Sequence, residues 1–130
     1  MKGFRVWSDY WKKYATEAEL YMDGSADAVF EDDDGVPHHE NTDIVVEFKT
    51  GIKDKNGKEI YKGDIVWFKW TKRLYVVTYR IYDASFILEN DDWEETIHLS
   101  LDRDDFEVVG NIHENQDLLD DANVTNKEEK

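Results

Sequence analysis

A short acidic stretch contains the residue types that bind divalent cations. Carboxylates and imidazoles are ligands for such ions, and seven lie close together: Glu31, Asp32, Asp33, Asp34, His38, His39 and Glu40. Their spacing fails the test for a calcium loop, because Gly35 at position six would place Phe30 at position one. The stretch ending at Gly57 fails in the same way, with Ile52 at position one. We therefore predict no metal site.

Catalytic side chains form no recognisable arrangement either. The chain has no cysteine, which excludes a thiol nucleophile, a disulfide framework and thiolate zinc ligation. Its serines lie outside any nucleophile-elbow pattern, and no glycine-rich phosphate loop occurs. Acidic pairs are so frequent that no single pair points to general acid–base chemistry. We predict that the protein is not an enzyme and has no cofactor.

Residues 49–80 combine positive charge with aromatic rings, as proteins that bind single-stranded nucleic acid do. Nine Lys and Arg are interleaved there with Tyr61, Trp67, Phe68, Trp70, Tyr75 and Tyr79. Alternation along strands would turn many of these rings into a core, and a formal net charge of −15 opposes approach to a polyanion. We therefore do not expect direct binding to nucleic acid.

The negative charge lies in two blocks that flank this basic segment. Residues 23–47 hold nine acidic and no basic residues, and residues 81–130 hold sixteen acidic and three basic residues. Solvated loops and tails explain most blocks of this kind. An alternative is that ordered carboxylates imitate a DNA backbone and occupy a host DNA-binding protein, which requires a rigid scaffold beneath them.

Self-association is a further interpretation of the same charge pattern. Basic and acidic surfaces are complementary, and Trp67, Trp70 or Trp93 would make good interface anchors if exposed. The competing interpretation is that these tryptophans fill a small core. We favour a homo-oligomer, because an open sheet edge often pairs with a neighbouring molecule.

A single, mainly β domain is expected to position these residues. The chain of 130 residues has the length of one ordinary domain. Segments rich in β-branched and aromatic residues recur at short intervals, at 44–48, 65–70, 74–82, 86–88, 96–99 and 106–112. This spacing predicts a small antiparallel barrel or sandwich. Asn56 and Gly57 favour a type I′ hairpin turn between two strands.

Three regions have a weaker pattern. Residues 8–22 are either a short N-terminal helix or, as we prefer, a turn and a weakly defined segment after a first strand at Phe4–Trp7. Residues 23–43 predict a long acidic loop in the N-terminal half. Residues 120–130 predict a disordered acidic tail, so the expected domain is 1–119.

Motifs occur in three segments, Phe4–Trp7, Lys49–Val66 and Phe106–Leu119. In this order the segments resemble the YopX family, small proteins encoded by bacteriophages and prophages of mostly Gram-positive bacteria. The central segment is the specific one. Gln116 departs from the family pattern, which often has proline at that position.

The resemblance implies a phage or prophage origin and a largely β fold, and the family has no established catalytic residues to carry over. The residues of the motif are predicted to be structural, because glycines allow turns or close backbone contacts and Asp64 can cap its turn. The predicted structural positions are Gly51, Asp54, Asn56, Gly57, Gly63, Asp64, Gly110 and Asn111.

The sequence therefore predicts a non-enzymatic interaction module. Its partner is an unidentified host or phage protein or a second copy of itself, and the alternative is an acidic DNA-mimic inhibitor of a host DNA-binding protein. No apolar run approaches the length of a membrane span, and no signal-peptide segment follows Met1. We expect the protein in the cytoplasm of a bacterial host cell.

Overall fold

The fold was analysed in a computed structural model that describes residues 3–81, 84–90, 93–99 and 103–120. Within these residues the chain forms antiparallel strands, β1 to β12, and two single helical turns. The mainly β prediction is confirmed. The strands belong to two compact units, Met1–Phe48 and Lys49–Lys130. Of the tail predicted at 120–130, Asp120 ends a helical turn and residues 121–130 lie outside the described residues.

The first unit contains two antiparallel groups of strands. β1 (Phe4–Ser8) pairs with both β2 (Lys13–Tyr14) and the start of β6 (Ile44–Lys53). The second group has the order β3 (Glu17–Leu20), β4 (Ala26–Glu31) and β5 (Pro37–Glu40). The core of the unit is small and is formed by Val6, Ala28 and Phe30, with Phe4, Trp11, Ala15, Ala18, Ile44 and Val46 packed against them.

The predicted long acidic loop at 23–43 is replaced by strands β4 and β5. The reason is a period-two pattern within the acidic composition, in which Ala26, Ala28 and Phe30 are all buried while their neighbours are not. Two of the three are alanines, so the hydrophobic signal of the strand is weak.

The acidic residues of this region shape the connections between strands. The Asp32 carboxylate accepts hydrogen bonds from the backbone N–H groups of Asp34 and Val36, each at 2.9 Å. Asp23 accepts one from Ser25 N at 3.0 Å. Such bonds from an aspartate to the backbone just after it stabilise tight turns. The aspartates that predicted a long loop therefore stabilise two short turns, one between β3 and β4 and one between β4 and β5.

Residues 8–22 contain β2 and β3, so the alternative of a short N-terminal helix is wrong and the preferred one, a turn after a first strand, is closer to the structure. Trp7 on β1 pairs with Tyr14 on β2, and the two rings pack edge to face at 5.1 Å. The connecting turn is held by the Ser8 hydroxyl, which accepts a hydrogen bond from Trp11 N, and by a positive φ of 56° at Lys12. The aromatic residues that are spaced as in a helix therefore belong to a tight hairpin.

The second unit contains a five-stranded sheet. Its order is β11 (Trp93–His98), β10 (Ser85–Asn90), β9 (Arg73–Arg80), β8 (Asp64–Phe68) and β12 (Phe106–Asn111). β7 (Glu59–Tyr61) pairs with the end of β6. A 3-10 turn at Arg103–Asp105 precedes β12, and a helical turn at 116–120 follows it. The core consists of Ile60, Val66, Tyr75, Val77, Leu88 and Phe106.

The turn between β6 and β7 differs in type from the prediction. Gly57 has a positive φ of 80°, but Asn56 does not, whereas a type I′ turn requires both. Asn56 N and Lys58 N instead donate hydrogen bonds to the carboxylate of Asp54. No helix in the described parts of the chain is long and apolar enough to cross a membrane.

Candidate interaction surfaces

Asp54 joins two of the motif segments through its carboxylate. The side chain is 1% exposed. One carboxylate oxygen accepts hydrogen bonds from Asn56 N and Lys58 N, and the other accepts one from Val108 N on β12, all at 2.9 Å. In the same turn, Lys55 N donates a hydrogen bond to the carbonyl oxygen of Phe106 at 3.0 Å. The turn therefore covers the free edge of β12.

Gly63 and Asp64 form a second junction in the motif. The Asp64 carboxylate accepts a hydrogen bond from Tyr61 N at 2.8 Å and is fully buried. Gly63 has a φ of 90°, its N–H donates to Val77 O on β9, and its carbonyl accepts from Ile112 N. This turn therefore connects β7, β9 and the segment after β12.

Gly110 and Asn111 shape the end of β12. A Cβ atom at Gly110 would lie 2.6 Å from the side-chain oxygen of Asn115, so a larger residue does not fit without a shift. The Asn111 side chain accepts hydrogen bonds from His113 N and Glu114 N at 3.0 Å. These hydrogen bonds form the turn that follows β12.

The remaining predicted glycine, Gly51, lies at an irregularity in the β6–β7 pairing. It has a φ of 84° between Lys49 and Lys53, where the register shifts. The eight predicted structural residues thus occupy turns, a bulge and a strand end.

The predicted His and acid cluster is only partly brought together. Asp32 and His38 lie 2.9 Å apart across the β4–β5 turn, and the His38 ring centroid is 4.7 Å from that of Trp11. The hydrogen bond from His38, together with those from the backbone, holds the pKa of the Asp32 carboxyl below its ordinary value. Within the described ranges, no three His, Asp or Glu side chains are grouped closely enough to hold a metal ion.

Four carboxylates lie on the outer face of the β3–β4–β5 sheet, which we call the acidic face. Alternation along β4 buries one side of the sheet and turns the other side outward, and the register of β3 places its acids on that same outward side. Glu19 lies directly opposite Asp27. Among the described residues, none forms an ion pair with these acids. The acidic face consists of Glu17, Glu19, Asp27 and Glu31.

Tyr21 links the two opposed carboxylates. Its hydroxyl donates a hydrogen bond to Asp27 and lies 3.5 Å from Glu19. This hydrogen bond to Asp27, with the negative charge of both acids, raises the pKa of Tyr21 to about 12.

The hairpin between β8 and β9 ends in an exposed tryptophan, and we call Lys69–Lys72 the Trp70 tip. Trp70 is 69% exposed, and the Lys69 ammonium lies 4.9 Å from the centre of its ring. Lys69 also pairs with Asp105 at 3.4 Å, and the hydroxyl of buried Tyr75 donates to Thr71 at 2.9 Å. The tip is therefore anchored at both ends.

Most other aromatic residues of the basic segment pack within the second unit. Tyr61 and Tyr75 are buried, and Phe68 stacks on Phe106 with ring centroids 5.0 Å apart. Tyr79 is half-exposed. The proposed anchor at Trp93 lies on a strand whose side chains are outside the described ones.

Sequence reasoning missed a buried ionic group in the first unit. Glu47 is 2% exposed, and one of its oxygens accepts hydrogen bonds from Arg5 Nε and the Tyr14 hydroxyl, both at 2.9 Å. The Arg5 guanidinium lies 4.5 Å from the centre of the Tyr14 ring. Cross-strand pairing of Arg5 with Glu47 brings these charges together, and no local spacing could have indicated it.

Comparison with known proteins places this fold among related chains. The family model for the YopX protein matches residues 3–120. The crystal structure of protein EF1440 from Enterococcus faecalis is similar, with 29% identity over 90% of this chain and 96% of that chain and a TM-score of 0.58. The structure of protein yopX from Bacillus subtilis shares the fold, with 17% identity over 89% and 96% of the two chains and a TM-score of 0.54. No curated protein matches the chain. Because the family model extends over most of its length, the chain belongs to the YopX family.

Proposed function

We propose that the protein is a non-enzymatic interaction module, of bacteriophage or prophage origin, that acts in the bacterial cytoplasm through the Trp70 tip. The observation that carries the proposal is the 69% exposure of Trp70 on an anchored hairpin. A tryptophan this exposed leaves a large apolar surface in water, and tryptophan is enriched among the residues that dominate protein interfaces. The phage or prophage origin rests on the family resemblance.

The motif residues support a role without catalysis. The carboxylates of Asp54 and Asp64 and the amide oxygen of Asn111 all accept hydrogen bonds from backbone N–H groups. Polar atoms used in this way stabilise turns and are not available to a substrate. The motif therefore supports the scaffold that presents the tip.

The partner we propose for the Trp70 tip is a second copy of the chain. The tip carries Lys69, whose ammonium lies beside the indole ring, and Lys72, two positions after Trp70 in the sequence. The acidic face offers four carboxylates without a described ion pair. Opposite charges steer such surfaces together, and a buried aromatic ring adds affinity. The contact joins different surfaces of the two copies, so it builds a ring or a longer assembly.

Sedimentation velocity over the micromolar range tests this proposal. We expect the wild-type chain to sediment faster than a 15.4 kDa monomer as its concentration rises. The Trp70→Ala variant is expected to remain monomeric, and added salt should weaken the wild-type assembly. Tyr10→Ala is the control, because Tyr10 is also an exposed aromatic residue, at 76%, but is far from the Trp70 tip in the sequence. A wild-type chain that stays monomeric, or assembly that survives Trp70→Ala, contradicts the proposal.

The acidic face supports a second candidate function, DNA mimicry. Glu19 and Asp27 face each other across two strands, although like charges in that position destabilise a sheet. The carboxylates lie on paired strands rather than in a loop, which provides the rigid scaffold that mimicry requires. On this view the acidic face occupies a host DNA-binding protein.

A pull-down from bacterial lysate distinguishes the two functions. DNA mimicry predicts capture of DNA-binding proteins that are displaced by duplex DNA and by salt of a few hundred millimolar. Capture should persist with Trp70→Ala and be lost when Glu17, Glu19 and Glu31 are changed to Gln. Capture that resists salt and duplex DNA argues against mimicry.

A further inference from the structure

A cavity of about 280 Å³ lies in the second unit, between the five-stranded sheet and the segment after β12. Val76 and Glu89 are directly opposite each other on β9 and β10, and both line the cavity. Val77 and Leu88, the next pair, are fully buried in the core on the other side of the sheet. The cavity is therefore separate from the core.

The apolar walls come from three aliphatic residues. Val76 lies on the sheet, while Ile112 and Leu119 belong to the segment that follows β12. Ile112 is fixed in place because its N–H donates to Gly63 O at 2.9 Å. These walls can cover a short hydrocarbon chain.

The polar groups of the cavity are neutral except for one carboxylate. Thr78, Asn90 and Gln116 contribute a hydroxyl and two amides. Asn90 is held in place by a hydrogen bond from its amide nitrogen to Leu74 O at 2.6 Å. Glu89 is the one ionisable residue among the described residues that line the cavity. It is exposed, and it forms no ion pair with the described part of the chain.

We propose that this cavity binds a guanidinium group carried on a short aliphatic stem. A guanidinium ion has only donors, arranged in a plane, which suits one carboxylate surrounded by amide and hydroxyl oxygens. Its charge would pair with Glu89, and the methylene groups of the stem would lie against the aliphatic walls. The same chemistry is offered by the arginine side chain of a protein and by a free alkylguanidine. The site is independent of the Trp70 tip.

NMR titration of the full chain with N-butylguanidinium tests the site. We expect saturable shifts of backbone amides around Val76, Thr78, Gln116 and Leu119. The neutral isostere N-butylurea should bind about threefold more weakly, because it lacks the charge that pairs with the exposed carboxylate. Absence of saturable shifts, or equal binding of the urea, overturns the proposal.

Two variants test the role of the carboxylate. Glu89→Gln keeps the shape of the side chain and should weaken N-butylguanidinium binding about threefold, as expected for an exposed ion pair. Asp33→Asn, an equal change of charge on an exposed turn of the other unit, should leave the binding unchanged. Equal binding by wild type and Glu89→Gln counts against the site. N-acetylarginine amide separates the two sources, because tighter binding than N-butylguanidinium supports a protein arginine and weaker binding supports a free guanidine.

Discussion

The carboxylate of Asp54 accepts a hydrogen bond from Val108 N at 2.9 Å, across 54 positions of sequence. The same carboxylate accepts two N–H groups of its own turn. One buried side chain therefore shapes the β6–β7 hairpin and covers the edge of β12 at once. The central and the last motif segments therefore each provide part of the same junction.

Replacing Asp54 with Ala is expected to destabilise the protein by about 3–5 kcal/mol, because three backbone N–H groups lose a charged acceptor. Asp54→Asn should cost less, since its amide oxygen can still accept from part of this set. Urea unfolding followed by circular dichroism measures both variants. Asp34→Ala, in an exposed turn, is the control and should change the free energy of unfolding by less than about 0.5 kcal/mol. A similar small change for Asp54→Ala would refute the proposed junction.

Gly110→Ala is expected to destabilise the protein by about 1–3 kcal/mol, because its Cβ would lie 2.6–2.8 Å from side-chain atoms of Asn115. Asn115→Gly removes those atoms together with the acceptor of the hydrogen bond from Asn111 N. The Gly110→Ala change should therefore cost less in the Asn115→Gly background than in the wild type. A double-mutant cycle from thermal or urea unfolding measures this coupling. Strict additivity would mean that the close contact does not limit position 110.

The second unit was largely predictable from local sequence patterns. Turn residues such as Gly57 and Gly63 separate segments rich in β-branched residues, and strands β8, β9, β10 and β12 lie close to their predicted positions. The turn type at Asn56 was wrong because the deciding acceptor, Asp54, acts from two positions earlier. The third bond of Asp54 could not be predicted, since no local pattern marks a partner so distant.

The acidic face was not predictable for a different reason. Ala26 and Ala28 are small, so the apolar side of β4 was concealed by the acids around it. The sequence left open whether Trp70 is exposed or part of the core, because alternation along a strand does not apply within a turn. Burial of Tyr61 and Tyr75 agrees with the alternation that was expected to turn rings inward.

Glu19→Lys is expected to stabilise the protein by about 0.5 kcal/mol, because it replaces a like-charge pair opposite Asp27 with an ion pair. Glu17→Lys is a matched control, since it makes the same change of charge on the same strand but lies opposite Val29. Thermal unfolding at low salt compares the two variants, and the difference should shrink as salt rises. Equal stability of the two variants would show that the cross-strand repulsion is absent.

Tyr21 should titrate at about pH 12, well above the ordinary value of 10.0, because its hydroxyl donates to Asp27. The hydrogen bond favours the protonated phenol in the folded state. Its contribution to stability is therefore complete below about pH 10 and is lost as the pH rises towards 12. The difference in phenolate absorbance between the wild type and Tyr21→Phe reports this titration.

Removal of the acceptor should reverse the shift in Tyr21. In Asp27→Asn the charge and the strongest hydrogen bond are lost, so the Tyr21 pKa is expected to fall towards 10.0. Asp33→Asn makes the same change of charge without touching Tyr21 and should leave the midpoint near 12. Circular dichroism over the same pH range establishes that the β3–β4–β5 sheet is still folded. A midpoint that Asp27→Asn and Asp33→Asn lower equally would attribute the shift to net charge rather than to this contact, and the opposed carboxylates of the acidic face would then not be linked through Tyr21.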